Sequence, residues 1–423
     1  MIEEEIESLW NDDILKQVPH HEMNPENNFL EKFNEMTKES QQGSSIHSGY
    51  RYERISPLEV KRIQELAQRL QGESDSMIVC GIGGSALGAS ALYSALKFKC
   101  KKELIFFDNL DPIRCEMWKN TLNWERLSVC VISKSGGTLE SIAAFQWLLD
   151  TAAEKKIDLS QKIAVITDAE KGSLLDYAKK SQITPFQVPS KTGGRFSVFS
   201  AVAYLPLAFA GVDILKLEET AQKSFQSAPS KKLIRLAHRL YELEKANYSV
   251  HHLNLYSSML QDLGAWFVQL WGESLGKEKT NNFSTGSFPC YSIGSTDQHS
   301  ILQFLMEGKT AYVGNFIAIK NWPDNSKISV EKFHPSFGSL NYAQKKNFSE
   351  IINAQYEATF EGLISKKKAL YKTKLDRLDE ASLAALLCHW MDLTTALGIF
   401  HGIDPYNQPG VEMGKVILQE NLK

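Results

Sequence analysis

Cysteine is scarce. The chain has six in 423 residues, and no two fall in a CxxC or CxxH pair. Neither a disulfide framework nor a structural zinc site is expected. Cys80 and Cys130 sit in apolar strand-like runs and Cys388 in a helical pattern, so reduced, mostly buried thiols are expected. An excess of one charge is also lacking: 47 Lys and Arg stand against 50 Asp and Glu, a net charge of −3. That gives no field for a nucleic-acid backbone or an anionic membrane. Long apolar runs are missing too. The longest, Ala201–Val212, is interrupted by Pro206 and falls short of the ~20 residues a membrane helix needs. The N-terminal MIEEEIESLW is acidic where a secretory signal is basic and then apolar. No targeting segment is expected, and the expected location is cytoplasmic. A Walker lysine signature is absent as well.

What remains is ordinary for a globular chain, with 43% hydrophobic and 23% charged residues. The length corresponds to two or three domains at ~150 residues each. The first ~75 residues are polar, with KESQQGSSIHSG in their midst, and read as helices plus an irregular arm. From residue 77 short apolar runs alternate with helical stretches. MIVC (77–80), LIFF (104–107), LSVCVIS (127–133), KIAVIT (162–167) and TPFQVP (184–189) read as strands. The segments near 86–98, 112–120, 139–153 and 173–180 read as the helices between them. This is the pattern of βαβ units around a parallel sheet. A helical stretch over 216–247 follows. A second α/β set then has strands at 250–257, 289–293 and 310–320, and helices near 259–276 and 298–307. The rest reads as helical near 343–371, 379–397 and 409–421, with a short strand at Thr373–Asp376 and a loop over Asp324–Gly338. The expected class is α/β, with two doubly wound parallel-sheet domains and flanking helices. The boundaries drawn are an arm over 1–75, a first domain over 76–212 and a second over 213–423.

Six segments carry candidate chemistry. Gly81-Ile-Gly-Gly84-Ser85-Ala-Leu-Gly88 follows a strand and opens a helix, where backbone N–H groups can approach an anion. Its spacing is wrong for a dinucleotide fingerprint, and a tight turn without a ligand gives the same pattern. Ser133-Lys134-Ser135-Gly-Gly-Thr138-Leu-Glu-Ser141 sits in the same context, with four hydroxyls in nine residues at a helix start. One hydroxyl suffices for an N-cap; four suit a phosphate. Both loops fall at carboxyl ends of parallel strands, where open α/β sheets bind ligands. Gly193-Gly194-Arg195-Phe-Ser197 offers a close backbone approach and a guanidinium, or only a turn with a surface arginine.

The helical segment 257–277 is apolar on most faces, yet Asp262, Gln269 and Glu273 fall on one stripe. Such a stripe needs a structural network or a polar cavity, and Glu273 is a candidate base. His299 stands at a strand-to-helix junction beside Asp297 and Gln298. Gln408 and Lys415 flank Pro409, a residue suited to a helix start, and fall about two turns apart on one face.

In this order GIGGSALG, SKSGGTLE, GGRFSVFS, the QLWGES helix, TDQHSILQ and NQPGVEMGK resemble the glucose-6-phosphate isomerase (phosphoglucose isomerase) family, from about residue 77 to the last. GGRFSVFS and DPYNQPGVEMGK are the specific segments. The resemblance implies two sugar-isomerase (SIS) domains and a homodimer with shared active sites. It implies reversible isomerisation of D-glucose 6-phosphate to D-fructose 6-phosphate through a cis-enediol(ate), without metal or cofactor. Ser133, Ser135, Thr138 and Ser141 would hold the phosphate. Ser85 and its glycines would line the same pocket, and Gly84, Lys134 and Gly194 count with the substrate-binding set. Glu273 would move the proton, Arg195 stabilise the enediolate, and Gln269 and Gln408 orient the sugar. His299 and Lys415 would open the ring, His299 from the partner chain. A sugar-phosphate sensor would need the hydroxyl loop but not Glu273, Arg195, His299 and Lys415 together; an isomerase that also takes mannose 6-phosphate remains a nearer alternative. Gly136 and Gly137 stand where many members carry a bulkier residue or threonine. The chain ends eight residues after Lys415, so the long members' C-terminal extension is expected to be absent.

Overall fold

A computed structural model describes residues 2–5, 25–42, 47–279, 283–323 and 328–423. Parts of the KESQQGSSIHSG arm and of the Asp324–Gly338 loop lie outside the described residues. The chain divides into two compact units, Asn34–Ser227 and Met1–Phe33 with Ala228–Lys423. Strands are numbered along the chain from β1, Ile2–Glu5, which belongs to the second of these.

The unit Asn34–Ser227 is built on β2 (Ser76–Cys80), β3 (Glu103–Phe107), β4 (Leu127–Ser133), β5 (Ile163–Thr167) and β6 (Phe186–Gln187). They form a wholly parallel sheet in the order β3-β2-β4-β5-β6. Every residue of β4 and β5 is buried, which is why they read as unbroken apolar runs rather than alternating ones. Helices Leu87–Leu96, Pro112–Thr121, Leu139–Glu154 and Ser173–Lys180 follow β2 to β5 in turn. A side-chain cap fixes the start of one of them, Pro112–Thr121. Asp111 accepts from the amides of Ile113 and Arg114 at 2.9 and 3.3 Å, a bond set whose loss typically costs ~1 kcal/mol. Strand order reverses between β2 and β4, so the loops that follow these two strands part and leave a crevice at the carboxyl edge.

The other unit has β7 (Val250–Leu255), β10 (Phe288–Ile293), β11 (Tyr312–Asn321) and β12 (Ala369–Arg377) in parallel, in the order β12-β11-β7-β10. A separate ribbon pairs β8 (Glu278–Lys279) with β9 (Phe283–Ser284). Counted within its own unit, each sheet runs second, first, third, fourth; β1 takes the fifth place of the second sheet, antiparallel to β12. The two lobes thus share one architecture.

Several elements differ from the sequence expectation. β1 falls in the expected helical arm; Ile-Glu-Glu-Glu has little strand propensity, and only pairing to β12 makes it a strand. The stretch 216–247 is two helices, Ile214–Phe225 and Lys231–Lys245, broken where Pro229 lacks an amide and Ser230 caps the second by accepting from Leu233 N at 3.2 Å. The helix expected over 343–371 is Phe348–Ser365, and the short strand expected at Thr373–Asp376 is the nine-residue β12. Lys372 hides this strand in the sequence: its stem is buried in the sheet while its ammonium reaches Glu357. The unit boundary also falls later than 212. Helix Ile214–Phe225 stays with Asn34–Ser227 because Glu218 accepts from Arg54 and from the Tyr204 hydroxyl, and Tyr50 packs edge-on to Phe225 at 5.2 Å.

The apolar run Ala201–Val212 becomes the helix Ala201–Ala210, with Pro206 inside it. Among the described residues, only Glu380–His401 is long and apolar enough to cross a membrane. Its most apolar window is 89% buried in the protein, so it is a core helix. His389 and Asp392 interrupt its apolar run in the sequence.

Candidate active site

The candidate residues divide between the two units. Gly84, Ser85, Ser133, Lys134, Ser135, Thr138, Ser141, Gly194 and Arg195 lie in Asn34–Ser227; Gln269, Glu273, His299, Gln408 and Lys415 lie in the other unit.

In Asn34–Ser227 the hydroxyl loop leaves the carboxyl end of β4. Thr138 is the N-cap of helix Leu139–Glu154, but its side chain caps nothing. Its Oγ1 instead lies 3.0 Å from Ser133 Oγ and 3.3 Å from Ser135 Oγ. The hydroxyls form a cluster at a helix start, and the first-turn amides keep no side-chain acceptor from Thr138. Ser141 Oγ is buried and has no hydrogen-bond partner among the described residues. A buried hydroxyl left so is rare in a folded protein and calls for an acceptor. Hydroxyls, amides and the positive helix end together suit a phosphate. Gly136 holds φ at +69°, and a Cβ there would press on Gly172 at 3.0 Å, so this glycine is required by the turn. At Gly137 the nearest atom to a Cβ is 4.0 Å away, which leaves room for a side chain.

The Gly83–Ser85 turn after β2 meets the turn Gly194–Phe199. A Cβ on Gly84 would fall on the Gly194 carbonyl and lie 2.7 Å from Arg195 N. Only glycine permits that approach, so Gly84 sets the position of Arg195. The Arg195 side chain is buried rather than a surface arginine. Ser197 Oγ donates to Gly194 O at 2.7 Å and closes the turn. Lys134 does not point its ammonium at an empty loop: Nζ donates to Ser190 O at 3.0 Å and Thr192 O at 2.8 Å. Burial lowers its pKa from the ordinary lysine value.

In the other unit, helix Gln261–Leu275 is fixed by aromatic packing. Trp266, Phe267 and Trp271 are fully buried. Phe267 lies 5.0 Å from the Trp390 ring, and Trp271 4.3 Å from the His251 ring. Each such pair adds ~0.5–1.5 kcal/mol beyond the area it buries. The polar stripe survives at half-buried positions. Gln269 Nε2 donates to Glu273 Oε1 at 3.2 Å, and Gln269 Oε1 is buried without a partner among the described residues. Lys277 donates to Glu273 O and to Asn407 O, both at 2.5 Å, which ties the end of this helix to the segment before Gln408. Gln408 and Lys415 are exposed, one before the turn Pro409–Val411 and one on helix Glu412–Asn421.

The helix runs antiparallel to β10: Gly264 packs on the Tyr291 ring and Gly272 on Pro289. Glu273 is therefore beside the start of β10. His299 ends the turn Thr296–His299 beyond the strand's other end, and it is exposed. Asp297 Oδ2 accepts from Ile293 N at 2.7 Å, and Gln298 Nε2 donates to Tyr256 Oη and Thr359 Oγ1 at 2.7 and 2.6 Å. Those two bonds lock the His299 turn, a role the sequence did not disclose. Among the described residues no group of three His, Cys, Asp or Glu is placed to hold a metal ion.

Two copies of one doubly wound lobe, the first carrying a hydroxyl-lined loop at its carboxyl edge, are the architecture of the sugar-isomerase (SIS) class. The family model described as phosphoglucose isomerase matches residues 61–423, and the chain belongs to the phosphoglucose isomerase family. The glucose-6-phosphate isomerase of Rubrobacter xylanophilus is 32% identical over 370 residues, which is 84% of each chain. A crystal structure of a hypothetical protein from Thermus thermophilus superposes with a TM-score of 0.84 at 25% identity, over the whole of both chains. The crystal structure of a glucose-6-phosphate isomerase from Chlamydia trachomatis shares the fold, with a TM-score of 0.79 at 19% identity over 97% of this chain and 86% of that one.

Proposed function

We propose that the chain interconverts D-glucose 6-phosphate and D-fructose 6-phosphate by proton transfer between C1 and C2. Family membership supports the reaction, and the observation that carries the substrate reading is the hydroxyl cluster at 133–141, where the helix cap residue turns from its helix to its neighbours. Ser133, Ser135, Thr138 and Ser141 hold the phosphate, with Gly84, Ser85 and Gly194 lining the same side. Glu273 removes and returns the proton; a carboxylate flanked by an amide on a rigid helix is a positioned base. Arg195 stabilises the oxyanion of the cis-enediolate, a charge that develops only as the proton leaves. Gln269 and Gln408 orient the hydroxyls, and His299 and Lys415 open the ring. No step calls for a metal or cofactor.

The protein acts in the cytoplasm as a homodimer. With Glu273 at one end of β10 and His299 at the other, ~13 Å of strand lies between them at ~3.3 Å per residue. A pocket that uses both takes His299 from the partner chain. The test of the activity is a coupled assay: purified protein with fructose 6-phosphate, reading glucose 6-phosphate through its dehydrogenase. Turnover is expected, and none at any protein concentration would contradict the reading.

A further inference from the structure

The segment Ser190-Lys191-Thr192 leads directly into Gly193-Gly194-Arg195, and each of its three residues is held at least twice. The Glu53 carboxylate accepts from Ser190 Oγ at 3.0 Å, Lys191 N at 2.8 Å and Thr192 Oγ1 at 3.0 Å. Lys134 Nζ donates to Ser190 O at 3.0 Å and to Thr192 O at 2.8 Å. Gly49 N donates to Lys191 O at 2.7 Å. All three residues lie outside regular helix and strand, so without these bonds the segment would be free to sample other conformations. Charge-assisted bonds from both sides are the strong kind. Lys134 is also part of the hydroxyl loop, standing between Ser133 and Ser135. One end of the clamp is therefore the phosphate loop itself.

We infer that Glu53 is a positioning residue for Arg195: with Lys134 it clamps Ser190–Thr192 and sets the arginine turn against the hydroxyl loop. The inference rests on the proposed role of Arg195 as the group that stabilises the enediolate. Neither the sequence motifs nor the spacing pointed to Glu53, which lies far upstream in the N-terminal arm. Its effect is on placement. An arginine displaced by a fraction of its reach still lets the phosphate bind but no longer meets the charge that develops in the transition state.

The test compares Glu53→Ala, Glu53→Gln and the double variant Ser190→Ala with Thr192→Val, with Arg195→Ala as reference. Glutamine can still accept from Lys191 N and offer its amide to a hydroxyl, so it retains part of the clamp. Each folded variant is assayed for kcat and KM with fructose 6-phosphate. Each is also titrated with arabinonate 5-phosphate, whose carboxylate mimics the enediolate, and with inorganic phosphate. Glu53→Ala is expected to lower kcat at least about tenfold with KM within about threefold. Affinity for the aldonate falls with kcat, affinity for inorganic phosphate does not, and Glu53→Gln retains clearly more activity than Glu53→Ala. The double variant removes the hydroxyl half of the clamp with Glu53 in place, and lowers kcat in the same sense even where Glu53→Ala does not fold. If kcat stays within about threefold of wild type in the folded variants, or KM alone rises, the clamp has no such role. A fully active Arg195→Ala overturns the reading of Arg195 and the clamp together; a crippled Arg195→Ala beside an intact Glu53→Ala overturns the clamp alone.

Discussion

Glu273 and His299 stand at opposite ends of strand β10. Gly272, next to Glu273, packs on Pro289 at the strand's start, and Asp297, two residues before His299, accepts from Ile293 N at its end. Within one chain Glu273 and His299 lie beside different ends of this strand.

Mixed dimers test what this separation implies. Glu273→Gln and His299→Ala homodimers should each be nearly inactive, having no intact pocket. Random co-assembly makes about half the dimers mixed, each with one wild-type pocket and one doubly altered pocket. Isolated mixed dimers should recover roughly half of wild-type activity per chain, and the unsorted population roughly a quarter, if the pockets work independently. Chains are co-expressed with different tags, and doubly tagged dimers are assayed. No gain over the parents would place His299 in its own chain's pocket or outside the reaction.

The hydroxyl loop makes two separable predictions. Ser133→Ala with Thr138→Ala removes two donors whose charge-assisted bonds are worth ~1.5–3 kcal/mol each. KM for fructose 6-phosphate should rise by at least about tenfold. Ser141→Ala should also raise KM, yet leave the melting temperature of the free enzyme unchanged, since the Ser141 hydroxyl has no partner to lose among the described residues. An unaltered KM in both folded proteins would move the phosphate elsewhere.

Gly84→Ala drives a methyl group into the Gly194–Arg195 backbone. Displacing Arg195 by about 1 Å should cost about 100-fold in kcat. Gly72→Ala, where nothing lies within 4 Å of the added carbon, is the control; it should keep full activity and gain ~0.5–1 kcal/mol of stability. A Gly84→Ala enzyme with near-wild-type kcat would show that the two turns need not touch.

Acid should destabilise the unit that carries β7. Burial, with the neighbouring His252, lowers the His251 pKa to about 3, and burial lowers that of His252 to about 4 against a smaller upward pull from Asp297. Unfolded histidine titrates near ~6.5, so between pH ~6.5 and ~4 the unfolded chain binds more protons than the folded one. Stability is full above ~6.5 and falls as pH drops, by up to ~1.4 kcal/mol per pH unit for each histidine. His252→Leu also removes two ring nitrogens buried without hydrogen-bond partners among the described residues, and should lose less stability than wild type between pH 7 and pH 5 in urea unfolding. Equal losses would mean that His252 is not held neutral.

Much of this was legible in the sequence, for physical reasons. β4 and β5 are buried on both faces and so wrote themselves as apolar runs, with the four helices read between the strands. β1 was not legible, and β12 only in its Thr373–Asp376 part. Three glutamates make β1, and the alternating lysines of β12 mask a strand whose Lys372 stem is buried. The candidate site residues could be singled out because they sit in dense local motifs: a hydroxyl run, a double glycine before arginine, a polar stripe on an apolar helix. What no local motif could show is long-range support. Glu53 reaches residues 190–192, and Gln298 reaches Tyr256 and Thr359, across more than forty positions of sequence. Lys134, read as a substrate contact, bonds to two carbonyls 56 and 58 residues away.

The most direct measurement is the kinetics of Glu273→Gln in D2O with fructose 6-phosphate. The amide keeps the shape of the base and removes its basicity. Loss of a general base typically costs ~10²–10⁴-fold. Wild-type protein should form glucose 6-phosphate and carry solvent deuterium into the sugar at the carbon that regains the proton. The variant should lose both the turnover and the exchange, while it still binds the sugar phosphate. A variant that keeps more than about a tenth of wild-type kcat, or that exchanges deuterium at the wild-type rate, would contradict Glu273 as the base.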